Sequence, residues 1–141
     1  MIFFMPRLER KLDIKASAQT IFNILDDTLN YPKWNIVVNE MKEIGPEKHF
    51  AKTNVGDVIS TRTETVLNEK ISTKQEGSPM TEMGYILKPK GNVVEATIWA
   101  EFELADQEMI LGMAGEIFLK SLKKYAEYLE AGDNPAEFKK K

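Results

Sequence analysis

From Leu8 the chain alternates, with Leu8, Arg10, Leu12 and Ile14 set against Glu9, Lys11, Asp13 and Lys15. That period predicts a strand with one buried face and puts Arg10 on it. Ser17 stands where a helix N-cap belongs, and Ile21, Phe22, Ile24 and Leu25 follow at helical spacing. Asp26-Asp27 would end that helix, and Tyr31-Pro32 forces a turn or a second short helix carrying Trp34. From about Ile36 to Leu104 the helical stripes disappear. Short β-rich runs are separated there by Gly45-Pro46, Asn54 to Gly56, Asn68, Gly77-Ser78-Pro79 and Lys90-Gly91-Asn92. The last run is the clearest strand. Val94, Ala96, Ile98, Ala100, Phe102 and Leu104 share one face, and Glu95, Thr97, Trp99, Glu101 and Glu103 the other.

The chain closes with one long amphipathic helix, expected from about Asp106 to Glu130. Asp106 is the candidate N-cap and Gly132 the stop. Its expected buried stripe is Ile110, Met113, Ile117, Leu122, Tyr125 and Leu129, flanked by Met109, Phe118 and Tyr128. Gly112 and Gly115 interrupt this helix at a cost of about 1 kcal/mol each relative to Ala. Two such residues imply a close approach by the sheet, a ligand or a neighbouring chain. Strand, helix pair, antiparallel strands and long helix together make an α+β layer arrangement. It reads as a single domain over residues 1–141, with residues 1–6 as an N-terminal extension and 132–141 as a frayed tail.

Composition then narrows the chemistry. Lys and Arg number 19 against 22 Asp and Glu, a net charge of −3, which argues against a nucleic-acid partner. There is no cysteine and one histidine, His49, so disulfides, thiolate chemistry and histidine-rich metal centres are excluded. No metal and no cofactor is expected. The apolar start, Met1 to Pro6, is too short for a secretory or membrane-spanning segment, so a cytoplasmic protein without stable membrane insertion is expected.

The segment from Leu12 to Asp27, LDIKASAQTIFNILDD, followed by Tyr31-Pro-Lys-Trp-Asn35, resembles the START/SRPBCC superfamily. Tyr-Pro-x-Trp is similar to a segment of its polyketide cyclase and coenzyme Q-binding branch. Val55-Gly-Asp57, the Leu87 to Asn92 turn and the final helix fit the same pattern. The resemblance implies a helix-grip fold: a curved antiparallel sheet of six or seven strands wrapped around the long C-terminal helix, with two short helices after the first strand. It further implies an apolar cavity between sheet and helix for a hydrophobic small molecule such as a lipid, quinone or polyketide-like compound.

On that implication the candidate ligand-binding residues are Tyr31, Trp34, Met83, Tyr85, Ile98, Phe102, Met109, Met113, Ile117 and Phe118. Leu87 alternates with Met83 and Tyr85 on one strand. Methionine is flexible and polarizable, which suits an adaptable apolar wall. Each of these side chains taken singly reads as plain core first and cavity lining second, and Trp34 reads as a cavity rim or as a core plug. Arg10, Arg62 and Glu64 are candidate polar cavity groups. Arg62 and Glu64 share a strand face that is either the cavity side or the solvated side. His49 falls among charges and turn residues and reads as a solvated loop histidine. No catalytic residue is assigned, because no triad, metal or phosphate-loop motif occurs. A binder or carrier of a hydrophobic ligand is therefore the first expectation, and a polyketide cyclase/dehydratase-like enzyme the alternative. The third is an interaction module of the chaperone-activator or ribosome-associated kind, for which Trp99 on its charged strand face is the pointer. The sequence is silent on oligomeric state.

Overall fold

The computed structural model describes residues 6–54 and 56–140. Residues 1–5 of the apolar start, Val55 of the Val55-Gly-Asp57 match and Lys141 lie outside them. Strand β1 (Arg7–Ile14) leads through the Ser17 cap into helix α1 (Ala18–Asp26), whose buried residues are the expected Ile21, Phe22, Ile24 and Leu25. A 3₁₀ turn (Thr28–Asn30) and the short helix α2 (Tyr31–Trp34) follow. Six strands come next: β2 (Val38–Gly45), β3 (Lys48–Thr53), β4 (Gly56–Val66), β5 (Lys70–Glu76), β6 (Met80–Lys90) and β7 (Val93–Phe102). Each gap between them is one of the turns read from the sequence. Among the described residues the total is seven strands, in one antiparallel sheet ordered β1-β7-β6-β5-β4-β3-β2.

Helix α3 (Glu108–Glu130) lies across β1 and β7, while α1 packs against α3 and reaches β5 and β6. Aligned hydrophobic faces of sheet and helix bury Ile14, Phe102, Leu119 and Leu122 almost completely. Gly132 takes a left-handed φ of +86°, and its N–H closes on Leu129 O, which ends the helix.

Three expectations for the C-terminal third are corrected. Leu104 is exposed, because β7 ends at Phe102 and a 3₁₀ turn (Ala105–Gln107) intervenes before α3. That turn also takes Asp106 out of the cap position, which Gln107 occupies without a side-chain bond. The described residues after Gly132 are held against the rest of the fold rather than frayed. Phe138 packs 4.7 Å from the Tyr125 ring and 5.0 Å from Tyr128, and Lys140 Nζ donates to Asn35 O and Val38 O.

The largest correction is the rotation of α3. Its first half buries Leu111, Gly112, Gly115 and Leu119, while Met109, Ile110, Met113 and Ile117 face outward. The glycines explain the choice. A Cβ on Gly112 would overlap the Arg10 guanidinium, and one on Gly115 would meet Ile98 Cγ2 at 3.4 Å. Small residues let the helix sit tightly on β1 and β7, so the smooth side faces the sheet and the bulky side is displaced outward.

Candidate functional site

Between the concave face of the sheet, the first half of α3 and the 3₁₀–α2 segment lies a cavity of about 130 Å³. Each strand sends alternate residues into it. Leu8 comes from β1; Met41 from β2; Ala51 from β3; Val58 and Ser60 from β4; Ile71, Thr73 and Gln75 from β5; Met83 and Tyr85 from β6; Ile98 and Ala100 from β7. Leu111, Ala114, Gly115 and Phe118 close it from the helix, and Thr28 and Tyr31 from the segment before β2. The walls are mostly apolar, with the polar groups gathered near Thr28 and Arg62.

Arg62 organises that polar end. Its side chain is 14% exposed, and Nη1 meets Asp26 Oδ1 at 2.6 Å and Thr65 Oγ1 at 3.2 Å. Nη2 donates to Asp26 O at 3.3 Å and Thr28 Oγ1 at 3.1 Å. The guanidinium is thus tied to the end of α1, with its charge matched by a carboxylate. Beside it, Tyr31 Oη donates to Leu25 O at 2.6 Å. The Tyr85 hydroxyl lies beside that of Tyr31, close enough for each to affect the other's ionisation. Burial pushes both phenols well above the ordinary tyrosine value, against a smaller opposing pull from Arg62. Both therefore stay protonated at neutral pH. Gln75 Nε2 donates to Thr73 Oγ1 at 2.7 Å on the same wall.

An acidic cleft lined by Asp26, Asp27, Glu43, Glu47 and His49 adjoins this end and shares Thr28 and His49 with the cavity. His49 is consequently not a loop residue; it lies on β3 and is half-buried between the two spaces.

The ten candidate ligand residues divide three ways. Tyr31, Met83, Tyr85, Ile98 and Phe118 lie on the cavity wall. Trp34 and Phe102 are packed behind it. Trp34 is a core plug rather than a rim, 5.1 Å from Tyr31, 5.6 Å from Phe118 and 6.4 Å from Tyr125 by ring centroids. Met109, Met113 and Ile117 stand on the outer face of α3, away from the cavity, for the reason given above.

Among the polar candidates only Arg62 reaches the cavity. A β-bulge between Arg62 and Glu64 breaks the alternation, so Glu64 turns outward and pairs with Lys70 at 3.1 Å. Arg10 runs beneath Gly112 to Glu116 Oε1, 3.2 Å away, and bonds Glu9 O with Nη1. Trp99 is buried on the outer sheet face, where it covers Gly84 of β6 and carries the Arg7 guanidinium 4.3 Å above its ring. Thr28, Ala51, Ser60, Thr73 and Gln75 were not singled out from the sequence. For the four strand residues the only signal is register, which small and polar residues do not advertise as an inward face, and Thr28 lies in a 3₁₀ turn that gives no such signal.

Among the described residues no group of three or more His, Cys, Asp or Glu could hold a metal ion, and no helix is long and apolar enough to cross a membrane. No family model and no curated protein matches the chain. Solved structures do. A START superfamily protein from Mycobacterium smegmatis superposes with a TM-score of 0.77 at 20% identity, covering 87% of this chain and 98% of that one. The Zhui aromatase/cyclase from Streptomyces sp. R1128 gives 0.77 at 14% identity, over 93% and 100%. Aha1 from Colwellia psychrerythraea, solved as a dimer, gives 0.71 at 21%, over 87% and 97%. At such identities the likeness concerns the backbone: the chain has a START/SRPBCC-like α+β fold, seven antiparallel strands curved around a long C-terminal helix.

Proposed function

We propose that the chain binds a small, neutral, hydrophobic molecule bearing a hydrogen-bonding oxygen, held non-covalently between the sheet and α3. The observation that carries this reading is the cavity itself, apolar over most of its wall with hydroxyl, amide and guanidinium groups gathered at one end. Size and charge narrow the ligand. A volume of about 130 Å³ is close to the roughly 150 Å³ of an engineered cavity that accepts benzene. One ring or a short alkyl chain therefore fills it. A larger lipid, quinone or polyketide-like compound would need the walls to part. Arg62 is already neutralised by Asp26, and the adjoining cleft carries Asp27, Glu43 and Glu47, so an anionic head would meet net repulsion.

The test is native mass spectrometry of the protein as purified from cells, with extraction of anything bound, followed by displacement of an apolar fluorescent probe. A medium-chain alcohol or ketone should displace the probe at lower concentration than the carboxylate of equal length. Ala114→Phe, which adds a ring to the cavity wall, should block uptake, whereas Met113→Phe, on the outer face, should leave it unchanged. A protein that is empty and takes up no probe would remove this reading.

A second reading keeps the same cavity and adds turnover, as the aromatase/cyclase neighbour suggests. What favours it is a cation, Arg62, and a hydroxyl pair, Tyr31 and Tyr85, beside an apolar chamber. Both phenols hold their protons, so they would orient or polarise an oxygen rather than remove a proton. Recovery of the bound molecule with an altered mass after incubation would establish turnover; an unchanged mass favours the binder.

A further inference from the structure

The outward face of the first half of α3 has no role in the cavity. Met109 is 75% exposed, Ile110 53%, Met113 58% and Ile117 38%. These positions follow one another at i, i+1, i+4 and i+8 and form one apolar strip along the helix. Four large apolar side chains thus make one contiguous exposed patch, a feature that often serves a contact. On the opposite side the helix sits close to the sheet, with Gly112 against Arg10 and Gly115 against Ile98.

The charges at its two ends identify what fits. Asp106, in the 3₁₀ turn leading into α3, lies seven positions before Met113, and Lys120 lies seven positions after it. Seven residues are close to two helical turns, so Lys120 lies on Met113's face of α3, while Asp106 stands about as far before Met113, in the turn that precedes the helix. Both residues are exposed, and neither has an ion-pair partner among the described residues. A surface of this kind is complementary to itself when reversed. We propose that α3 packs against α3 of a second copy, antiparallel, about a two-fold axis passing near Met113. Met113 then meets its own counterpart, Met109 meets Ile117 of the second copy, and Asp106 meets Lys120 of the second copy, twice by symmetry. Opposed helix dipoles favour the same direction. The contact is small beside a standard stable interface, so the dimer is a concentration-dependent one.

Sedimentation velocity over a wide concentration range reads this directly. The mass should rise from that of one 16.1 kDa chain towards twice that value, and Met113→Asp should hold the protein at the lower figure. Lys120→Asp or Asp106→Lys alone turns two attractions into repulsions and should raise the midpoint concentration by about tenfold or more. Combining the two restores the original midpoint. The absence of cysteine adds an independent reading, since Met113→Cys supplies the only thiol. Near the axis it should oxidise to a covalent dimer much faster than the same change at exposed Leu67. A chain that stays monomeric throughout, or a dimer whose midpoint ignores both charge changes, overturns the proposal. So does a monomer that self-associates only when residues 1–5 are removed, which would assign the strip to that segment. A monomer that binds neutral phosphatidylcholine vesicles until Met113 is made Asp would assign it to a lipid surface.

Discussion

Gly84 and Gly115 show how one missing Cβ can mean opposite things. At Gly84 a Cβ would stand 2.7 Å from Ile71 O and 2.8 Å from the Trp99 ring. Neither neighbour yields readily, one being backbone and the other a large buried ring held under Arg7 on the outer sheet face. Gly84→Ala is therefore expected to lower stability by about 1–3 kcal/mol through overpacking. At Gly115 the nearest atom is 3.4 Å away, an ordinary contact. Gly115→Ala should instead gain up to about 1 kcal/mol from helix propensity. Urea unfolding of the two variants checks both signs. At this scale the sequence marked Gly112 and Gly115 as places of close approach, and β1 and β7 are what approach. It carried no mark at Gly84, because the opposing Trp99 is identified only by strand register. Arg62 and Glu64 make the same point: two residues of equal parity face opposite ways because a bulge lies between them, and no feature of the local pattern announces it.

Among the elements, α1 depends on groups at both ends of the chain. Ser17 Oγ accepts from Thr20 N at 3.1 Å, while Glu130, at the end of α3, takes the Ser17 N–H at 2.7 Å and the Thr20 hydroxyl at 3.1 Å. Ser17→Ala should cost about 1 kcal/mol, the usual worth of a side-chain cap, read as a lower urea midpoint with an unchanged denaturant slope. The Ser17 cap, the extent of α1, the place of α2 and the turns between successive strands were legible from local signals; the end of β7 was not. Turn residues punctuate this chain strongly, and cap chemistry acts within four residues. The facing of α3 was not legible. Its sequence offers an apolar stripe through Met113 and another through Leu111 and Leu119. The glycines decide between them only when the sheet they must approach is present.

For the molecule as a whole, the buried Tyr31–Tyr85 pair links the α2 segment to β6 and couples folding to alkaline pH. Burial raises both phenols above the ordinary 10.0. Below that pH the folded and unfolded chains both hold the protons, and the contribution to stability is complete. Above it the unfolded chain releases them while the folded chain keeps them. The unfolded state then binds fewer protons, and stability falls as pH rises. Urea midpoints should be level between pH 7 and about 9 and drop beyond 10, with a smaller drop in Tyr31→Phe. Absorbance at about 295 nm should show these phenols ionising together with unfolding; ionisation near the ordinary value in the folded protein would refute the coupling.

What the sequence determined by itself was the order and kind of elements, the single antiparallel sheet with its long final helix, and the range of chemistry from which cysteine and histidine clusters are missing. Those properties are local or compositional, written in alternation, caps, turns and counts. The tertiary structure decided the number of cavity residues that are truly inward, the pairing of Arg62 with Asp26, the burial of Trp34 behind the wall and the turning of Met109, Met113 and Ile117 to the outside. Each depends on residues distant in sequence meeting across a curved sheet. A stripe of hydrophobic residues states only that some face prefers burial; which face is buried is settled by how closely the neighbouring backbone can approach.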